Sequence, residues 1–181
     1  MLDINDKKDK NGNTVKGDIS KLSKGGQDFY RRMKDMINNH SRVAEMNVDF
    51  GNSEIHTGTY DTKSMDMADI MQFPAFDPSK QEQDGPTQIG KVIHEITEPY
   101  KRSWRVNRGG KTDAFIDHPY GLGAENDING TERIDPDKNN GRGRGMVQQF
   151  KYANGSVTSY LVTGGQNSPT KPIITVTPLS R

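Results

Sequence analysis

The chain has 181 residues, with 25 Lys and Arg against 24 Asp and Glu for a formal net charge of +1, and only 30% hydrophobic residues beside 19 Gly. That balance gives no global positive excess for nonspecific nucleic-acid binding, and the size suits one domain with a thin core and long loops. Zero Cys excludes disulfides, thiolate zinc sites, iron–sulfur clusters and cysteine nucleophiles, so any metal falls to His, Asp, Glu or backbone oxygen. No apolar run approaches the ~20 residues of a membrane span. The charged opening residues Met1 to Lys10 carry no apolar stretch of the kind a secretory signal needs.

Residues 1–26, rich in Lys, Asp, Asn and Gly, read as a flexible, turn-rich entry with at most a short hairpin about Asn11-Gly12. The remainder, 27–181, reads as a single domain. Over Gln27–His40 the residues Phe29, Met33, Met36, Ile37 and His40 recur at helical spacing, which predicts a helix. Arg42–Phe50 alternates, with Ala44, Met46, Val48 and Phe50 on one side. That predicts a half-buried strand, with Glu54–Tyr60 pairing back across the Gly51-Asn52-Ser53 turn. Met65–Phe73 fits a short helix and an irregular apolar segment equally.

A loop with Pro74, Pro78 and Pro86 precedes a helix that starts at Pro86 with Asp84 as a nearby cap. It runs to Tyr100, or to Trp104 with a kink at Pro99. Asp113–Asn129, broken by Pro119, Gly121 and Gly123, predicts loop with one helical turn about Ala124–Ile128. The Gly141–Gly145 stretch, Gly-Arg-Gly-Arg-Gly, reads as a flexible connector. It lacks the aromatic residues of an RNA patch and the Lys-Ser/Thr of a phosphate loop. Asn154-Gly155 marks a β-hairpin, and Pro172–Pro178 is one more short strand. The class is α+β.

The chemistry concentrates in His94-Glu95-Ile96-Thr97-Glu98. On a helix, positions 94 and 98 lie about 40° apart on adjacent turns, which suits two ligands of one tetrahedral metal. Ile89, Val92, Ile93, Ile96 and Tyr100 cluster on a different face, so the helix has a core side and a His/Glu side. The competing reading is a solvated charged face. Two His and one carboxylate form a recognised catalytic zinc set with an open fourth position. Glu95, beside a ligand and off its direction, is placed as a general base. His118 and Glu125 compete for the third ligand position. Asp117 or Glu125 can hold the outer nitrogen of His118. Tyr120 is a candidate oxyanion donor. His40 reads as a helix-end residue and His56 as a strand residue.

The segments Ile89-Gly-Lys-Val-Ile-His-Glu-Ile-Thr-Glu-Pro-Tyr100, Asp117-His118 and Gly123-Ala-Glu-Asn126 resemble the zincin-like metallopeptidase toxin domains of bacterial polymorphic toxins and delivered effectors. The resemblance covers roughly residues 86–130. It implies a zincin-like α+β fold, with one dominant active-site helix packed on a small, mainly antiparallel sheet and much loop. It implies zinc held by His94, Glu98 and His118, with Glu95 as base. It further implies hydrolysis of a protein or peptide substrate, and delivery into a target cell by a secretion or contractile-injection system without a signal peptide. The implied partners are a cognate immunity protein or the delivery apparatus, with no nucleic acid and no membrane span. The rival reading is a noncatalytic interaction or structural domain of a secretion or phage-like particle.

Overall fold

A computed structural model describes residues 7–8, 10–12, 14–15, 19–52, 55, 57–134, 147–155, 157–161 and 173–177. Within the entry, β1 (Lys7–Lys8) and β2 (Thr14–Val15) form an antiparallel pair around the predicted Asn11-Gly12 turn. Helix α1 (Lys24–Asn38) follows, capped by Ser23, whose Oγ accepts the Gly26 N–H at 3.3 Å. Its Phe29, Met33 and Met36 pack on the buried cluster of Ile93, Ala124 and Ile128, as their spacing predicts. Ile37, by contrast, is exposed. The helix ends before His40, which lies in the following turn.

The predicted strand over Arg42–Phe50 is reduced to β3 (Asn47–Asp49). Val48 and Phe50 are 61% and 74% exposed, because no second layer among the described residues covers the alternating face. The segment ending at Tyr60 does not pair back onto β3 as expected. Its β4 (Gly58–Thr59) instead pairs antiparallel with β5 (Ser64–Asp66), which is parallel to β3, so β5 is central and β4 forms an edge. The buried Asp66 carboxylate accepts N–H groups from Gly51, Asn52 and Ala68, tying the loop after β3 to the start of the short helix α2 (Met67–Ile70). The Met65–Phe73 region is thus strand followed by helix.

Helix α3 (Gln88–Val106) starts later than predicted and runs past both predicted ends, Tyr100 and Trp104. Thr87 is its cap, accepting the Gly90 N–H at 3.1 Å, while Asp84 pairs with Lys80 instead. The largest correction concerns Asp113–Asn129. It is not a broken loop but a continuous helix, α4 (Ala114–Asn129), capped by Asp113 and ended at Gly130 with φ 69°. The three supposed breakers have other roles or little cost. Pro119 removes the bond to the carbonyl four residues earlier, that of Phe115, a residue 83% exposed. Gly121 is a packing residue, because a Cβ there would lie 2.9 Å from Glu98 Cγ and 3.0 Å from His94 Cδ2. Gly123 faces open space.

The expectation of one dominant helix on a sheet is therefore corrected as well. Helix α3 packs chiefly against α4, with α1 beside both, and touches the small mixed sheet through β5. A second, antiparallel sheet of β6 (Val147–Lys151), β7 (Val157–Leu161) and β8 (Ile173–Thr177) includes the predicted Asn154-Gly155 hairpin and the last predicted strand. It joins the chain after α4 through a bridge between Arg133 and the buried Tyr152. Gly141–Gly145 and His56 lie outside the described residues. The whole is a mixed α/β chain with its core between α1, α3 and α4.

Candidate metal centre

The His/Glu side of α3 is not a solvated face. His94, Glu95 and Glu98 are all buried: α4, brought close by Gly121, lies against His94 and Glu98, and the Thr57-Gly58 segment lies against Glu95. The pressing of α4 on α3 brings three predicted side chains together. His94 Nε2 lies 3.0 Å from Glu98 Oε1, and His118 Nδ1 lies 2.6 Å from the same oxygen. The two ring nitrogens are 3.2 Å apart. Ligand atoms about 2.0–2.1 Å from a tetrahedral zinc are about 3.3 Å from one another, so the ring nitrogens already stand near that spacing. His94, Glu98 and His118 form the group that can hold a metal ion among the described residues.

His118 reaches this group from a helix, not from the loop predicted for it. The outer shell is also rearranged. Glu125, 1% exposed, does not hold His118; its Oε2 lies 2.8 Å from His94 Nδ1. It thus faces the ring nitrogen of His94 opposite to the one that meets Glu98 and His118. Lys91 completes the row, its Nζ 2.8 and 2.9 Å from the two Glu125 oxygens. Asp117 does not serve His118 either. Its carboxylate takes the Tyr60 hydroxyl at 2.6 Å and the Arg105 guanidinium at 2.5 Å. The Tyr60 hydroxyl in turn accepts the Asp113 N–H at 3.0 Å. This knot joins the β4–β5 turn, α3 and the first turn of α4, and so sets where His118 sits.

The electrostatics follow from burial and pairing. Burial pushes the His94 imidazolium down, but the hydrogen bonds it donates to Glu125 and Glu98 outweigh it and raise its pKa to about 9. Burial pushes Glu98 up, yet His118 and His94 hold it at about 2. Glu125 is likewise kept well below the usual carboxylate range against its burial, by Lys91 and His94. Glu95 differs. Burial raises its pKa, with Glu98 adding to the rise and His94 and Lys91 opposing it. A carboxylate with a raised pKa beside two held ones has the character of a proton acceptor.

Glu95 is positioned by β4. Its Oε1 accepts the Thr57 hydroxyl at 3.2 Å. A Cβ on Gly58 would fall 1.9 Å from its Oε2, so only glycine leaves room for the carboxylate against the strand. The sequence reading missed Thr57, Gly58, Lys91 and Tyr60. Lys91 carried one legible signal, its place one turn before His94 and Glu95. The others come from segments distant in the chain. Tyr120 is not drawn into the group. It is half exposed, with Lys101 Nζ 4.6 Å from its ring centroid.

Comparison with protein-family models, curated proteins and solved structures finds no match to this chain.

Proposed function

We propose that this chain is a zinc-dependent peptide-bond hydrolase that acts as the toxic module of a bacterial delivered effector. The observation that carries the catalytic part is the convergence of His94 Nε2, His118 Nδ1 and Glu98 Oε1, with Glu125 on the far nitrogen of His94. Two imidazoles and one carboxylate, with a carboxylate behind a ligating His, are the parts of a catalytic zinc site. Bound there, zinc supplies Lewis acidity, lowering the pKa of water toward ~7 and polarising a carbonyl.

The chain's own residues do the remainder in this reading. Glu125 accepts the Nδ1–H of His94 and so turns the Nε2 lone pair to the metal side. Glu95 accepts the proton of the attacking water and passes it to the leaving amine, its Oε1 steadied by Thr57. In this reading an extended peptide adds alongside the edge strand β4, whose Gly58, next to Thr57, lies against Glu95. The toxic role, the peptide substrate and delivery by a secretion or injection system rest on the resemblance of Ile89–Tyr100 and Asp117–Asn126.

The test is Glu95→Gln, expressed in a susceptible host beside the wild type at equal level. Loss of toxicity with zinc content and melting temperature kept is expected, with about 10²–10⁴-fold lost from the rate of any identified cleavage. Full toxicity of the variant contradicts the role of Glu95. Wild-type protein purified without chelator and free of zinc favours the rival, a noncatalytic interaction domain.

A further inference from the structure

The end of α3 and the loop after it contain Lys101, Arg102, Arg105, Arg108 and Lys111, with no acid between Glu98 and Asp113. Cations at a helix C-terminus favour the dipole, but the arrangement goes beyond that. Arg42 comes in from the loop after α1, its guanidinium carbon 5.3 Å from the Tyr100 ring centroid and 5.4 Å from that of Trp104. Arg108 stacks on Trp104 at 4.4 Å. Lys101 lies over Tyr120. Among the described residues, the ion pairs of this region are Arg105–Asp117 and Arg32–Asp127; Arg42, Lys101 and Arg108 enter none. Burial, together with the Arg42 and Arg32 charges, pushes the Lys101 ammonium below the usual lysine range, a sign of concentrated positive potential in a chain of net charge +1.

A ring contact uses the face of a guanidinium and not its N–H groups. Arg42 gives Nη1 to the Tyr100 hydroxyl at 3.4 Å, and the exposed Arg108 has the fork that matches a carboxylate bidentately. The indole of Trp104 is taken up by guanidinium groups, which argues against base stacking, the means by which single-stranded nucleic acid is held. Arg, Trp and Tyr together are the composition of protein-interface hot spots, and Val43, beside Arg42, is 70% exposed. We propose that Arg42, Lys101, Trp104 and Arg108 form a docking surface for an acidic protein segment. Through the contact of Lys101 with Tyr120, two residues past His118, the surface adjoins the candidate metal centre without using its ligands.

Trp104 is the chain's single Trp, so its fluorescence reports on this surface directly. Titration with poly-L-glutamate is expected to give a saturable change that weakens as salt rises. Arg108→Glu and Arg42→Gln, each with wild-type circular dichroism and melting temperature, are expected to bind about tenfold or more weakly. The proposal is overturned by the absence of a saturable change, or by equal affinity in both variants. Tighter binding of oligothymidylate than of poly-L-glutamate also overturns it and assigns the surface to nucleic acid.

Discussion

At the scale of single residues, the centre is an exchange between protons and a metal ion. Below its pKa of about 9, His94 carries two protons, one toward Glu125 and one toward Glu98. The groups facing it are Glu95 and Glu98 on its own helix and His118 and Glu125 from α4, with Lys91 behind Glu125. A pKa raised from 6.5 to about 9 adds stability that is complete below pH 6.5 and is lost as pH rises through 9. Glu98, lowered from 4.5 to about 2, adds stability that is present above pH 4.5 and is lost as pH falls through 2. Metal-free protein should therefore melt highest between about pH 4.5 and 6.5, as far as these groups decide it. A melting temperature that climbs from pH 7 to 9 without metal contradicts this assignment. Zinc must displace the His94 proton, so zinc affinity should rise with pH over the same range.

The third ligand is decided at this scale too. His118→Ala should weaken zinc binding by orders of magnitude, and Glu125→Ala by about 10–100-fold, as loss of an orienting partner does. Competition with a chelator measures both. The reverse order would make Glu125 the ligand.

Among the elements, α4 holds the main lesson. The His94-x-x-x-Glu98 spacing and the separate core face of Ile89, Ile93 and Tyr100 were legible, because helical periodicity is a local property. The helix bearing His118 was not. Pro119, Gly121 and Gly123 read locally as breakers, and only the neighbouring α3 shows why Gly121 is required. Its missing side chain lets α4 lie within reach of His94 and Glu98. Gly121→Ala should force the helices apart, lowering stability by about 1–3 kcal/mol and weakening zinc binding with it. Thermal melts and chelator competition check both effects, and unchanged zinc affinity would separate the packing from the site. The strand over Arg42–Phe50 failed for the opposite reason: its alternation was genuine, but Val48 and Phe50 stay exposed among the described residues. Likewise, Gly58 and Thr57 meet Glu95 only after β4 has paired with β5, a contact that no local pattern announces.

For the molecule as a whole, the composition foretold a thin core, and among the described residues few large apolar side chains are fully buried. Much of the described interior is polar instead: Lys91, His94, Glu95 and Glu98 of α3 and Asp117 and Glu125 of α4 are all buried. Burying that many charges is costly for stability alone, and replacing such groups with apolar residues often leaves a fold as stable or more so. Their concentration around one constellation accords with a functional demand on this part of the fold. The measurement that tests this most directly is the zinc content of protein purified without chelator, with X-ray absorption at the zinc edge to read the ligands. Near-stoichiometric zinc is expected, bound by two imidazole nitrogens and carboxylate oxygen, with loss of the metal in His94→Ala. A chain that takes up no zinc, or a His94→Ala variant that keeps it with the same shell, would contradict the account.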